Sequence, residues 1–175
     1  QMTEVVGNME GTLKPQLIPT SDLVEGLREI KDAREMESLS RAIAIADEAF
    51  QEVSAKLKPG MTEKQIAWEL DKRMREKGAE SVSFDTIVAS GPNGALPHHQ
   101  PTDRPIQKGE PIVIDMGAKY NGYCSDMTRT VYLGKPDANF KKVYDTVLAA
   151  QLTAIATIQP GMTGEAVDNL ARSVI

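Results

Sequence analysis

The chain has 175 residues, of which 41% are hydrophobic and 26% charged, a composition typical of a soluble globular protein with one domain or slightly more. Its net charge of −5 and pI near 5.1 provide no basic surface, and its single cysteine excludes a disulfide framework and a cysteine-based zinc site, so we expect a cytoplasmic protein with no nucleic-acid partner. No apolar run approaches the roughly 20 residues that span a bilayer, so we expect neither a membrane segment nor a leader.

The start of the chain has little periodicity. Residues 1–20 contain Gly7, Gly11, Pro15 and Pro19, which interrupt regular structure. We interpret residues 1–31 as a connector from an N-terminal domain that is not part of this sequence.

A long helix is predicted next. Asp32 and Glu35 have the spacing of a capping box, and apolar residues then recur at intervals of three and four along one face. That face comprises Met36, Leu39, Ile43, Ala46, Phe50, Val53 and Leu57.

A second helix is predicted after the break at Pro59-Gly60. Thr62 with Gln65 caps its start, and Gly78 ends it. Its inward residues are Ile66, Leu70 and Met74.

Strand-like sequence follows the second helix. We predict a strand over residues 83–89, a turn-rich loop over residues 90–94, and two strands on either side of Asn121-Gly122. Asn-Gly between two β-rich runs is a strong hairpin signal, and helical periodicity returns after Gly134.

One short motif occurs twice. Pro-Gly-Met-Thr occupies residues 59–62 and again residues 160–163, and in both places one long helical pattern precedes it and another helical pattern follows. We therefore predict an internal duplication, with a second copy that stops inside its second helix.

Two aspartates lie in the hairpin region. If the Asn-Gly pair forms the turn, Asp115 faces Thr128 and Asp126 faces Gly117, so both carboxylates point to one face with backbones roughly 7–8 Å apart. Two carboxylates that converge on one buried spot repel each other unless they share a cation, which favours a metal site. Solvated aspartates and a proton-sharing dyad are open alternatives, a bulge would change the register, and two oxygen ligands do not complete a site.

His98 and His99 are the two histidines, placed between the turn-rich loop and the hairpin. A histidine there can donate to a developing oxyanion or bind a substrate carbonyl, although a structural or solvent-facing role is the alternative. Cys124 has the parity of Asp126, and with no base nearby in sequence we interpret it as a packed thiol.

Three segments together resemble the pita-bread metallopeptidases. They are Ser-Gly-Pro-Asn-Gly-Ala-Leu-Pro-His at 90–98, Ile-Asp-Met-Gly-Ala at 114–118 and Asn-Gly-Tyr-Cys-Ser-Asp-Met-Thr-Arg-Thr at 121–130. The chain is most similar to the Xaa-Pro aminopeptidases and Xaa-Pro dipeptidases (prolidases), over nearly its whole length. Residues 27–32 resemble that family's junction between its N-terminal and catalytic domains.

The resemblance implies a duplicated α/β (α+β) fold with helices outside a curved antiparallel sheet. Residues 32–134 would be the first half of this catalytic domain, and residues 135–175 the start of a truncated second half. It also implies that Asp115 and Asp126 ligate two divalent metal ions, usually manganese, cobalt or zinc, and that His98 is a catalytic residue near the substrate. The family completes its site with a histidine and two glutamates from the second half, so we expect the isolated chain to be inactive.

The implied function is metal-dependent hydrolysis of the bond preceding proline, in a homodimer that takes peptides with proline in second position. A metal-free relative, either a creatinase-like hydrolase or a binding module, is one alternative, but such relatives generally lose the aspartates that this chain keeps. A methionine aminopeptidase is the other alternative, and the junction and the Leu-Pro-His loop favour the Xaa-Pro branch instead.

Overall fold

The computed structural model describes residues 18–175, which belong to two compact units, one that ends at Met36 and one that spans Glu37–Ile175. The first contains helix α1 (Leu23–Glu29), which was not predicted from the sequence and which buries none of its residues. Residues 1–17 of the predicted connector lie outside the described part.

The rest of the chain alternates between helices and short antiparallel strands. The helices are α2 (Ala33–Ser54), α3 (Glu63–Glu76), a 3₁₀ helix (Gly91–Ala95), α4 (Ala138–Thr157) and α5 (Gly164–Arg172). The strands are β1 (Ser81–Val82), β2 (Ile87–Ser90), β3 (Pro111–Met116), β4 (Ala118–Tyr120), β5 (Tyr123–Cys124) and β6 (Met127–Tyr132). None of the helices between residues 18 and 175 combines the length and apolarity needed to cross a membrane.

Helix α2 begins with the predicted capping box. The Asp32 N–H donates to Glu35 Oε2 at 2.7 Å, and the Glu35 N–H donates back to Asp32 Oδ1 at 2.9 Å. The predicted apolar face is wrong in part, because Met36 and Ile43 are 49% and 47% exposed. The buried stripe consists of Ala42, Ile45, Ala46, Ala49 and Val53. The three alanines in this stripe allow the helix to pack closely on the core, and the bulkier Ile43 lies beside the stripe on the exposed side of the helix.

The predicted boundaries and inward face of helix α3 are confirmed. Thr62 Oγ1 accepts from the Gln65 N–H at 3.2 Å while Gln65 Oε1 accepts from the Thr62 N–H at 2.9 Å. Gly78 follows the helix with φ of +103°. The three predicted inward residues, Ile66, Leu70 and Met74, are fully buried.

The six strands form two three-stranded antiparallel sheets, ordered β1-β4-β5 and β2-β3-β6. The predicted strand over residues 83–89 is wrong in its first half, because β2 begins at Ile87. The predicted turn is confirmed, since Asn121 and Gly122 have φ of 49° and 80° and lie between the paired residues Tyr120 and Tyr123.

The predicted hairpin register holds along both ladders, although the pairing is interrupted at Gly117. A Cβ at Gly117 would collide with the carbonyl oxygen of Ser125, so only glycine allows this close approach of two backbones. Buried Ser125 stabilises the backbone at this break, because its hydroxyl donates to Ala42 O at 3.1 Å and accepts from the Ala118 N–H at 2.9 Å. The break therefore divides the expected sheet without changing its register.

The core lies between helices α2 and α3 and one face of β3. The buried face of β3 carries Ile112, Ile114 and Met116, and these pack in one cluster with Ile45 of α2 and Leu70 of α3. Alternation then places Val113 and Asp115 on the opposite face of β3.

The two copies of the Pro-Gly-Met-Thr motif have matching local structure. Gly60 and Gly161 have φ of 93° and 90°, and in each copy the next methionine donates its N–H to the carbonyl three residues earlier at 3.3 Å. Thr62 and Thr163 are both helix N-caps that accept an N–H at 3.2 Å. A long helix precedes each copy and a shorter one follows, which supports the predicted duplication.

Candidate functional site

Asp115 lies on the central strand of the β2-β3-β6 sheet. Its backbone partners are Ile87 on β2 and Thr128 on β6, as the register predicts for the second. Its side chain is half-buried, and Oδ1 accepts a hydrogen bond from Thr128 Oγ1 at 2.8 Å. The neighbouring strand thus orients this carboxylate.

Asp126 lies in the break between β5 and β6 and is exposed. It lines a shallow cavity together with Ile43 and Asp47 of α2 and with Arg129. The expectation of two carboxylates on one buried spot is therefore wrong as to burial, because these aspartates occupy the ladder break and the open face of β3. That both carboxylates point to one face stays a prediction.

The chemistry of these donors fits part of a divalent metal site. Asp115 on β3 and Asp126 in the break before β6 offer the oxygen ligands that hard cations prefer. Within residues 18–175, no three or more His, Cys, Asp and Glu side chains are grouped so that they could hold a metal ion. Asp115 and Asp126 could therefore contribute to a site but do not form one with other described side chains.

His98 is exposed on the turn that follows the 3₁₀ helix. The His99 N–H donates to Leu96 O at 3.2 Å, which closes this turn around His98. His99, in contrast, is only 8% exposed, and its Nε2 lies 2.8 Å from a buried carboxylate oxygen. The structural role that was left open for a histidine applies to His99.

That carboxylate is Glu63, which was not predicted as a site residue from the sequence. Its side chain is 0% exposed, and Oε1 accepts from Ser90 N–H at 2.8 Å, Ser90 Oγ at 2.7 Å and Asn93 Nδ2 at 2.9 Å. Oε2 accepts from His99 Nε2 at 2.8 Å, Thr102 N–H at 3.0 Å and Thr102 Oγ1 at 2.7 Å. Since a carboxylate only accepts, His99 Nε2 carries a proton.

Burial alone would raise the pKa of Glu63, because desolvation disfavours the charged form. Hydrogen bonds from His99, Asn93 and Ser90 outweigh that effect and hold the pKa of Glu63 well below its ordinary value. The buried side chain is therefore a fully ionised acceptor at neutral pH.

The network extends to a second carboxylate. Arg104 Nη1 donates to Ser90 Oγ at 2.6 Å, and the guanidinium forms a two-pronged pair with Glu110 at 2.8 and 2.7 Å. The Arg104 guanidinium lowers the pKa of the Glu110 carboxyl. Gly91 passes so close to this pair that a Cβ would collide with Glu110, which fixes the start of the 3₁₀ helix against it.

A sequence signal for Glu63 does exist. Glu63 occupies the same helical face as Ile66, Leu70 and Met74, so it continues an apolar stripe with a carboxylate. A charged residue on a core-facing stripe requires partners, and these come from Ser90 at the end of β2 and from the loop that contains His98.

Cys124 is exposed, so its interpretation as a packed thiol is wrong. Strand β5 has two residues and lies at the edge of its sheet, where side-chain parity does not place a residue in the core.

The site segments all lie within a region that matches one family. Residues 37–175 match the family model described as metallopeptidase family M24. The chain belongs to metallopeptidase family M24. The expected membership among metallopeptidases is thereby confirmed, and divalent metal ions belong to the chemistry of this family.

Relatives and solved structures agree with the family. A peptidase of Bacillus subtilis is 46% identical over 91% of this chain and 45% of its own length, and a Xaa-Pro dipeptidase of Pyrococcus furiosus is 37% identical over 99% and 53%. A Xaa-Pro dipeptidase structure from Bacillus anthracis has a TM-score of 0.87 at 46% identity, covering 90% of this chain and 44% of that one. An X-Pro aminopeptidase structure from Thermotoga maritima has a TM-score of 0.89 at 44% identity, covering 93% and 46%.

These matches confirm the mixed helix and antiparallel-sheet fold that the resemblance implied. The M24 chain spans about half the length of the curated relatives it matches.

Proposed function

We propose that the full-length M24 protein containing this chain is a metal-dependent peptidase that hydrolyses the bond preceding proline. The observation that carries the proposal is the likeness to a Xaa-Pro dipeptidase and an X-Pro aminopeptidase at TM-scores of 0.87 and 0.89. Both likenesses exceed 40% identity and extend over at least 90% of this chain. The substrate would be a dipeptide or longer peptide with proline in second position.

Asp115 and Asp126 would hold the metal in this protein. A divalent ion bound there would supply Lewis acidity and a lowered pKa for coordinated water. The Thr128 hydroxyl donates to Asp115 Oδ1 and so keeps the carboxylate oriented, which is the usual role of a hydrogen bond behind a ligand.

His98 would act on the substrate and not on the metal. Its imidazole is exposed on a closed turn, where it can donate a hydrogen bond to the scissile carbonyl as negative charge develops on the oxygen.

Several finer assignments complete the proposal. We propose two metal ions (manganese, cobalt or zinc), a homodimeric assembly and a cytoplasmic location. We place residues 1–31 in a connector, residues 32–134 in the first half of the catalytic domain and residues 135–175 at the start of its second half. The remaining histidine and glutamate ligands would lie outside this sequence, since the chain covers 44–46% of the two solved structures.

The test uses the full-length protein, freed of metal and titrated with Mn²⁺, Co²⁺ or Zn²⁺. Hydrolysis is measured on a dipeptide ending in proline, on its alanine counterpart and on a peptide with N-terminal methionine and no proline. We expect metal-dependent cleavage of the proline peptide alone. Cleavage of the methionine peptide would instead indicate a methionine aminopeptidase, and metal-independent cleavage would contradict the proposal.

The metal ligands are tested with matched variants. Asp115→Asn and Asp126→Asn should each lose bound metal and turnover, whereas Asp145→Asn, at an exposed aspartate of α4, should lose neither. Retention of the full metal content by both ligand variants would show that the metal binds elsewhere.

A further inference from the structure

The loop that carries His98 is attached to helix α3 on both sides of that residue. Asn93 precedes His98 and donates to Glu63 at 2.9 Å, while His99 and Thr102 follow it and donate at 2.8 Å and at 2.7 and 3.0 Å. All of these bonds end on one carboxylate that is 0% exposed.

His98 itself has an exposed side chain, so its position depends on the backbone around it. The hydrogen bond from the His99 N–H to Leu96 O closes the turn, and the His99 ring is fixed to Glu63. Because both the ring and the backbone N–H of His99 are held, the peptide unit that joins His99 to His98 has a defined position.

We propose that Glu63 is a positioning residue that holds the 91–102 loop, and through it the His98 imidazole, in the place where it meets the substrate. The catalytic part of this inference rests on the proposed function, because it requires that His98 act on the substrate. The anchoring part rests on the hydrogen bonds and burial alone.

The arrangement requires a carboxylate. Each oxygen of Glu63 faces at least one backbone N–H, that of Ser90 on Oε1 and that of Thr102 on Oε2. In either orientation, the NH₂ group of a glutamine would face one of these N–H groups, which cannot accept a hydrogen bond. Glu63→Gln therefore keeps the volume and breaks the anchor.

The experiment compares four forms of the full-length, metal-loaded protein with wild type: Glu63→Gln, His98→Ala, the double variant and Glu165→Gln. Glu165 is the control because it also lies in the first turn of a helix but is exposed. Amide hydrogen exchange of the 91–102 segment, metal content, and kcat on a dipeptide ending in proline are measured for each.

We expect Glu63→Gln to accelerate exchange across residues 91–102, to leave the metal content unchanged, and to lower kcat on the order of 10²-fold, as small misplacements of a catalytic group do. In the His98→Ala background, the same change should alter kcat very little. Glu165→Gln should resemble wild type in every measurement.

Two results would overturn the inference. If amide exchange in the 91–102 segment is equal in Glu63→Gln and Glu165→Gln, Glu63 does not anchor the loop. If the effect of Glu63→Gln on kcat is undiminished in the His98→Ala background, Glu63 does not act through His98. Failure of the proposed function looks different, because every form including wild type would then lack turnover while loop exchange still separates the two glutamine variants.

A milder variant covers the case in which Glu63→Gln does not fold. Asn93→Ala removes one bond to Glu63 on the side preceding His98. We expect it to change exchange and kcat in the same direction and by less, again only when His98 is present. No change in either quantity would contradict the inference.

Discussion

Glu63 combines complete burial with a negative charge, and this combination makes the folded state sensitive to acid. Because its pKa is lower in the folded chain than the ordinary 4.5, its stabilisation is fully present above about pH 4.5 and is lost as the pH falls below that value. Protonation would place a hydroxyl hydrogen among groups that all donate to the carboxylate.

We therefore expect Glu63→Gln to lower the free energy of unfolding at neutral pH by about 2–4 kcal/mol, as loss of a buried ionic acceptor does. The difference from wild type should shrink as the pH falls from about 4.5 toward 3, because wild type then loses the same interaction. Urea unfolding at a series of pH values measures this. Glu165→Gln is the control, and a difference between wild type and Glu63→Gln that does not change with pH would contradict the assignment.

His98 gives the second prediction at this scale. Replacing it with alanine should lower kcat on the order of 10²–10³-fold, the usual effect of removing one donor to a developing oxyanion, with metal content little changed. Metal analysis and steady-state kinetics of the full-length variant decide the matter. If the bound metal is lost together with the imidazole, His98 is a ligand and the proposed role is wrong.

Among the structural elements, the hairpin that contains Asp115 and Asp126 depends on the close approach of its two backbones at Gly117. A methyl group there would meet the backbone carbonyl oxygen of Ser125, and a shift of Ser125 would disturb the hydrogen bond from its hydroxyl to Ala42 O of α2. We expect Gly117→Ala to destabilise the protein by about 1–3 kcal/mol, the usual range for overpacking, and to weaken metal binding as Asp115 and Asp126 shift relative to each other.

Gly164→Ala is the matched control, because nothing lies within 4 Å of a Cβ at Gly164. It should leave both the stability and the metal affinity within experimental error or raise the stability slightly. Thermal unfolding and metal titration of the two variants provide the test. Equal behaviour of the two alanine variants would argue against the steric account.

Local chemistry explains why so many elements were predictable from sequence. The capping boxes at Asp32 and Thr62 and the Asn121-Gly122 turn each depend on residues within a few positions of one another. A turn of fixed length also sets the strand register, which is why Asp115 pairs with Thr128 as predicted.

The parts that were not predictable depend on long-range contacts. Glu63 receives hydrogen bonds from residues that lie between 27 and 39 positions away, and no periodicity connects them. The buried stripe of α2 depends on how closely the alanines approach the core, and the exposure of Cys124 depends on β5 being an edge strand. The helical pattern can therefore mark Glu63 as a carboxylate on a buried face, but it cannot identify the partners of Glu63 or the exposure of Cys124.

At the scale of the whole molecule, the two copies of the repeat differ in what they bury. Helix α2 buries a stripe of five residues against the core, whereas Ala150 is the buried residue of α4 among the residues that the structure describes. The apolar residues of α4 are instead largely exposed, including Val143 at 63%, Leu152 at 55% and Ile155 at 66%. Helix α2 of the first copy thus packs against a core. The described part of the second copy contains no comparable core for α4 to pack against.

The same asymmetry applies to the proposed metal ligands, since Asp115 and Asp126 both precede the second copy of the motif and no cluster of three or more candidate ligands is present between residues 18 and 175. We therefore expect the 175-residue polypeptide alone to bind Mn²⁺ and Co²⁺ at least on the order of 10²-fold more weakly than the full-length protein, because losing direct ligands should cost more than the 10–100-fold typical of a lost supporting residue. It should also fail to hydrolyse a dipeptide ending in proline. Isothermal titration with each metal, followed by the peptide assay, measures both quantities on polypeptide of verified mass. Turnover by the pure 175-residue polypeptide would refute the idea that essential ligands lie elsewhere, whereas activity that depends on an added C-terminal fragment would support it.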